Sequence, residues 1–280
     1  MIAATLGLVL VSALLHAAWN ALLRRSPDRE AASLGIPALS FLLTAAACPF
    51  LPGPAFATGP SLAWGLAAGA FEGLYFLALA RALAQAPLGW SYTWMRGGAL
   101  LLVWPFSLAF LGERLTLVPA LSVALVAGGL VLMGGAPERA GRRSLAWAVV
   151  AGAAIAGYTL CYKLSLDQGS RPLPLFALSM AMSLPIQAGL RLLGGAIRPA
   201  TFRLRRPGLV LAAGLLSTAS FLLYLQALAW AGAGAVTTLR NTSIVFAVIG
   251  SALLGERPPA RHWAGACLVA LGAAGMAWRP

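Results

Sequence analysis

The chain has 280 residues, of which 60% are apolar and 10% charged, with a mean hydropathy of +0.84. A soluble domain carries roughly 25% charged residues, so this composition excludes one and places the chain in lipid. The formal charge of +13 does not indicate a nucleic-acid binder either. The arginines sit in short gaps between apolar runs and form no basic face on a polar body.

A membrane-spanning helix needs about 20 largely apolar residues. Ten segments meet that need: 2–22, 32–51, 61–84, 88–110, 117–135, 145–166, 173–194, 208–230, 234–253 and 261–278. No Lys or Arg precedes Arg24, so the first segment is expected to be a retained helix; a cleaved signal peptide puts its basic stretch ahead of the apolar core. Ser12, His16 and Asn20 are spaced by four on one face of it, with Trp19 alongside. Such a stripe either lines a cavity, where His16 can exchange a proton, or joins helices by hydrogen bonds.

In the third segment Gly65, Gly69 and Gly73 recur every four residues, a smooth stripe for close packing. Beside them lies Glu72, the only acid well inside a span, followed by Tyr75. The fourth segment carries Arg96 near its middle. The sixth places Tyr158 and Tyr162 four apart with Lys163 near its end, and the eighth aligns Ser217, Ser220 and Tyr224. The ninth carries Arg240 and Asn241. Pro87, Pro105 and Pro185 are candidate bends. Cys48, Cys161 and Cys267 are scattered through apolar stretches without metal-ligand spacing and are read as packing residues.

The tetrapeptide Leu-Gly-Glu-Arg occurs twice, at 111–114 and 254–257. Carried forward, the same offset pairs Val126 with Val269, Ala127 with Ala270, Gly129 with Gly272 and Met133 with Met276. Carried backward with one-residue shifts, it sets Arg96 opposite Arg240, and the run from Arg81 to Ala84 opposite that from Gln226 to Ala229. The chain therefore reads as two repeats, 1–136 and 145–280, with five spans each. An odd number per repeat makes the second enter from the opposite face, so the expected fold is an all-α integral membrane protein of ten transmembrane helices in two inverted five-helix repeats. The tetrapeptides mark hairpins: glycine allows the turn, and the carboxylate bonds free N–H groups of the next helix or pairs with the adjacent Arg.

Lys and Arg concentrate in the gaps after the first, third, fifth, seventh and ninth segments, among them Arg24, Arg25, Arg29, Arg139, Arg142, Arg143, Arg198, Arg203, Arg205 and Arg206. By the positive-inside rule these gaps face the cytoplasm and both termini lie outside.

The opening from His16 to Arg24, the two Leu-Gly-Glu-Arg hairpins and the stretch from Leu239 to Phe246 resemble EamA-type members of the drug/metabolite transporter superfamily. The similarity covers essentially the whole chain. It implies a bacterial inner-membrane carrier, commonly an exporter of amino acids or other small metabolites. Family members are usually drawn with both termini in the cytoplasm, where the charge distribution here places them outside.

An ionisable group at mid-membrane costs about 2.5–3.5 kcal/mol on insertion scales and needs a partner or a wet cavity. Arg96 and Arg240 occupy mirrored positions. They either clamp a carboxylate or phosphate by bidentate bonds, or neutralise a buried Glu and cap helix carbonyls. Glu72 either exchanges a proton or receives an amino group, or else pairs with one of the two arginines. Asn241, Tyr75, His16, Trp19, Asn20, Tyr158, Tyr162 and Tyr224 complete the expected substrate site. Nothing in the sequence asks for a cofactor, a metal, a nucleic acid or an enzyme's nucleophile and base. The expected partners are a small-molecule substrate, the bilayer and protons as coupling ion, and a monomer suffices. An anionic lipid-linked substrate moved by a flippase is the alternative.

Overall fold

The computed structural model describes every residue except 1, 28, 86–87, 135–140, 194–205, 254, 256 and 278–280. Outside the described residues lie Pro87, Arg139, Arg198, Arg203, Arg205 and, from the second tetrapeptide, Leu254 and Glu256. The described residues form eleven α-helices, with no strand among them. In chain order these are α1 (Ile2–Arg25), α2 (Arg29–Ala47), α3 (Gly59–Gln85), α4 (Leu88–Phe110), α5 (Leu117–Gly134) and α6 (Arg142–Asp167), then α7 (Pro172–Leu193), α8 (Pro207–Trp230), α9 (Ala233–Arg240), α10 (Ser243–Leu253) and α11 (Ala260–Ala277). A single 3-10 turn, Cys48–Phe50, follows α2.

Eight candidate spans are long and apolar enough to cross a membrane, with α9 and α10 together counting as one. The segments expected at 88–110 and 261–278 are the helices α4 and α11. The arginine, proline and indoles of α4, and the Arg261-His262 start of α11, dilute their apolar character.

The ninth segment departs from expectation. It is not one helix but α9 and α10, joined by a turn at Asn241 and Thr242. The local cause is a polar run. Thr238 Oγ1 donates to the Gly234 carbonyl at 2.8 Å, Thr242 Oγ1 to the Leu239 carbonyl at 2.8 Å and Asn241 Nδ2 to the Thr237 carbonyl at 3.1 Å. Side chains that bond nearby carbonyls compete with the helical ladder. The backbone tightens here to i→i−3 bonds, Asn241 N–H to Thr238 O and Thr242 N–H to Leu239 O.

Helices of the two halves interleave. α3 packs on α6 and α1 on α8, while α2 meets α7, α4 meets α9 and α5 meets α11. The α5–α11 contact is reciprocal between residues that the spacing of the two tetrapeptides pairs in the sequence. A Cβ added to Gly129 would stand 2.6 Å from the Gly265 carbonyl oxygen, 2.9 Å from Val269 Cγ2 and 3.1 Å from Leu268 Cβ. One added to Gly272 would stand 2.6 Å from the Ser122 oxygen, 2.8 Å from Val126 Cγ2 and 3.1 Å from Leu125 Cβ. The two helices run antiparallel at this contact, since earlier residues of one meet later residues of the other.

The glycine stripe of α3 packs as its spacing implied. A Cβ on Gly69 would lie 2.7 Å from the Ser179 carbonyl oxygen and one on Gly73 2.8 Å from that of Ser183, both on α7.

Candidate functional site

Charged and polar side chains that the bilayer would reject gather where α1, α3, α6, α8 and the end of α9 meet. Arg240, Glu72 and Arg96 are 2%, 0% and 4% exposed. Placing Arg240 at the C-terminal end of α9 aims its guanidinium at α1 and α8. Its Nη2 lies 3.3 Å from His16 Nδ1, and its Cζ stands 3.8 Å over the Tyr224 ring and 4.7 Å from the Phe221 centroid. A desolvated cation over two aromatic faces is favourably held. Its Nε makes no hydrogen bond, and among the described residues no carboxylate comes within ion-pair distance; the ion pair found there is Lys163–Asp167.

Glu72 is held from α6. The Tyr162 hydroxyl lies 3.0 Å from Glu72 Oε1 and 2.6 Å from Ser179 Oγ, so it can donate to the carboxylate while accepting from the serine hydroxyl. Glu72 Oε2 makes no hydrogen bond. Glu72 therefore does not form the ion pair with Arg96 or Arg240 that was one of its two readings; a tyrosine takes that place. Around the two groups runs an aromatic wall. Tyr158 lies 5.6 Å from Tyr75, 5.7 Å from Tyr162 and 6.0 Å from Phe221 by ring centroids, and the Tyr158 hydroxyl is unpaired. Tyr224 donates to Thr159 Oγ1 at 2.8 Å.

The polar stripe of α1 divides. Ser12 joins helices: its Oγ donates to the Ser220 carbonyl at 2.7 Å, and Ser220 Oγ donates to the Ser12 carbonyl at 2.8 Å. His16 faces the site, with Trp19 Nε1 3.3 Å from its Nδ1, and Asn20 Nδ2 donates to the His16 carbonyl at 2.8 Å. The Asn20 and Asn241 Oδ1 atoms, like Arg96 Nη2, make no hydrogen bond. Arg96 belongs to the same electrostatic cluster, because its charge acts on both His16 and Tyr224, as that of Arg240 does. No group of three or more metal-ligating side chains exists among the described residues.

Residues 142–278 match the model of the EamA-like transporter family. The match covers 137 of the 280 residues and makes the second half of the chain similar to that family. The whole chain shares its fold with a protein of known crystal structure, at a TM-score of 0.74 and 16% identity over 98% of this chain and 96% of that one. An identity that low speaks for the fold alone. No curated protein matches the sequence.

All eleven side chains expected in the site are buried, and the contacts above join nine of them around Arg240 and Glu72; Arg96 acts on them through its charge alone, and Asn241 lies beside Arg240 in sequence. The sequence reading missed Phe221, which touches His16, Tyr158, Phe176, Tyr224 and Arg240. Its register on the face of Ser217 and Tyr224 was the available signal. Arg191 was missed too. It is fully buried near the end of α7, donating to Gln187 Oε1 at 3.0 Å and to Ser33 Oγ of α2 at 2.7 Å. The first tetrapeptide's Glu113 bonds neither the next helix nor Arg114: its Oε1 accepts from Gly234 N–H at 3.0 Å, capping α9 in the other half of the chain.

Proposed function

We propose that this protein is a secondary active transporter of a small metabolite bearing an anionic or zwitterionic group, such as an amino acid or organic anion. It works by alternating access around the Arg240 cluster. The observation that carries the reading is Arg240 itself, a buried guanidinium resting on aromatic rings with an unused Nε and, among the described residues, no carboxylate within ion-pair distance. A buried charge without a partner is costly, and a substrate carboxylate would relieve that cost. Arg240, supported by Asn241, fixes the anionic group, and Arg96 approaches from the other repeat. The free Oε2 of Glu72 receives an amino group or a coupling proton, with His16 the second candidate for the proton. Trp19, Asn20, Tyr75, Tyr158, Tyr162 and Tyr224 enclose the rest of the substrate.

The repeats, 1–136 and 145–280, are inverted in this reading. The reciprocal, antiparallel α5–α11 contact supports it, since a two-fold axis relating antiparallel helices crosses them at right angles and so lies in the plane of the membrane. Export, driven by protons or by exchange across a bacterial inner membrane, is the direction proposed, with a monomer as the working unit and both termini outside.

Uptake of radiolabelled amino acids and organic anions into proteoliposomes tests the assignment, alongside a thermal-shift screen of metabolites repeated with Arg240→Ala. Anionic or zwitterionic compounds should stabilise the native protein and lose that effect in the variant. Stabilisation by cations alone, unchanged in Arg240→Ala, would overturn it.

A further inference from the structure

Behind the break in the ninth span lies a hollow of about 290 Å³ between α1, α10 and α11, walled by Leu6, Leu10, Val245, Phe246 and the alanines of α11, with Thr242 at its edge. Thr242 is the polar residue of the lining, and its hydroxyl is already used on the Leu239 carbonyl at 2.8 Å. The hollow thus offers a ligand no free side-chain donor and, as acceptor, only the Thr242 hydroxyl oxygen. A cavity holds water only where that water finds two to four polar partners, so neither water nor a polar metabolite is its occupant.

The space exists because α11 presents only Ala270, Ala273, Ala274 and Ala277 on this side. Ala270 and Ala274 are exposed at the outer surface of the bundle, so the hollow opens sideways. Two of its walls, α1 and the α9–α10 pair, are membrane spans, which makes the medium at that opening the hydrocarbon of the bilayer. The first repeat lacks the matching break, since α4 runs unbroken from Leu88 to Phe110 past Arg96. The hollow therefore adjoins the repeat whose arginine-bearing span is split.

We infer that this hollow is a binding site for an acyl chain of a bilayer phospholipid, seated against Thr242 and Phe246 where it props the joint between α9 and α10. The site does not depend on the identity of the transported metabolite. With Thr242 only two residues from Arg240, a chain lodged there restricts how far α10 can swing toward α11.

The test uses the full-length protein in vesicles doped with a phosphatidylcholine whose acyl chain carries a diazirine, with labelled peptides mapped by mass spectrometry. Label should concentrate on residues 242–246 and 270–277, above the level at the lipid-facing Leu121 and Val131 of α5. Ala274→Phe, which fills the hollow, should lose that label while α5 keeps its own. Phe246→Ala, which enlarges the hollow, should gain label, and it decides the matter should Ala274→Phe not fold. Label at the pocket no stronger than on α5, unchanged in Ala274→Phe, or a Phe246→Ala protein that gains none, would each overturn the inference. Pocket labelling without any metabolite transport would leave it standing and remove the proposed function instead.

Discussion

Arg240 is held by faces rather than by charges, and that distinction sets what its replacements do. A desolvated guanidinium–aromatic contact contributes about 2 kcal/mol, and each 1.4 kcal/mol is about a factor of ten in binding. Arg240→Lys keeps the charge but loses the planar stack on Tyr224 and the fork that grips a carboxylate. Transport should fall by about tenfold or more while the protein still inserts, measured as initial uptake into proteoliposomes. Tyr162→Phe strips Glu72 Oε1 and Ser179 Oγ of a shared partner, and a buried polar group left unmade costs about 1–3 kcal/mol. A lower melting temperature is therefore expected. Glu72→Gln tests the coupling role separately: it keeps the shape, accepts the tyrosine's bond, and should abolish pH-driven uptake while exchange persists. These charged residues were legible in the sequence because acids and guanidinium groups are scarce in lipid and each demands a reason. Phe221 was legible only through its register beside Ser217 and Tyr224, since an apolar ring in a spanning helix is by itself equally at home in lipid or beneath a guanidinium. Arg191 hid for the opposite reason: a cation near a helix end ordinarily reaches for the headgroups, yet here it turns inward to α2.

At the scale of helices, the break after Arg240 comes from side-chain hydrogen bonds of a polar run too short to outweigh its apolar flanks, which explains why a window of apolar residues ran straight through it. The glycine stripes were legible as stripes, but their partners were not, because a smooth face says nothing of which helix fills it. Adjacent glycines of α5 make this testable. A Cβ at Gly129 would fall 2.6 Å from a backbone oxygen of α11, whereas one at Gly128 meets nothing within 4 Å. Gly129→Ala should lower the melting temperature, with an overpacking cost of about 1–3 kcal/mol, and Gly128→Ala should be neutral or slightly stabilising, as about 0.5–1 kcal/mol of helix propensity is regained. Equal effects in the two would show that α5 and α11 do not pack along this seam. Glu113 was expected to act locally, and the sequence had no means of revealing that its carboxylate serves α9. Glu113→Ala removes that cap and should cost about 0.5–2 kcal/mol, seen as a lowered melting temperature that Glu113→Asp partly restores.

For the molecule as a whole, the chain's up-and-down course gives the two ends of the bundle different fastenings. If each span crosses once, the start of α2 and the end of α7 share one end, where Arg191 reaches Ser33 and the carbonyl of Glu30. The end of α4 and the start of α9 share the other, where Glu113 caps Gly234 and where Thr58 donates to the Gln168 carbonyl and Arg171 N–H to that of Ala55. The first end carries Arg24, Arg25, Arg142, Arg143 and Arg206, the side that the positive-inside rule assigns to the cytoplasm. Reporter fusions at Gly141 and Arg206 should accordingly read cytoplasmic and one at Pro280 external; the reverse pattern would place the termini inside. An alternating-access carrier has to release these fastenings in turn, never together. Arg191→Ala should loosen the end marked by Ser33, so that a cysteine introduced at Ala31 reacts faster with a membrane-impermeant maleimide applied from that side. Glu113→Ala should leave that cysteine protected, or protect it further, by favouring opening at the opposite end. A cysteine whose reactivity rises equally in both variants would mean that the two fastenings are not alternatives, and that the bundle loosens as a whole instead of opening one face at a time.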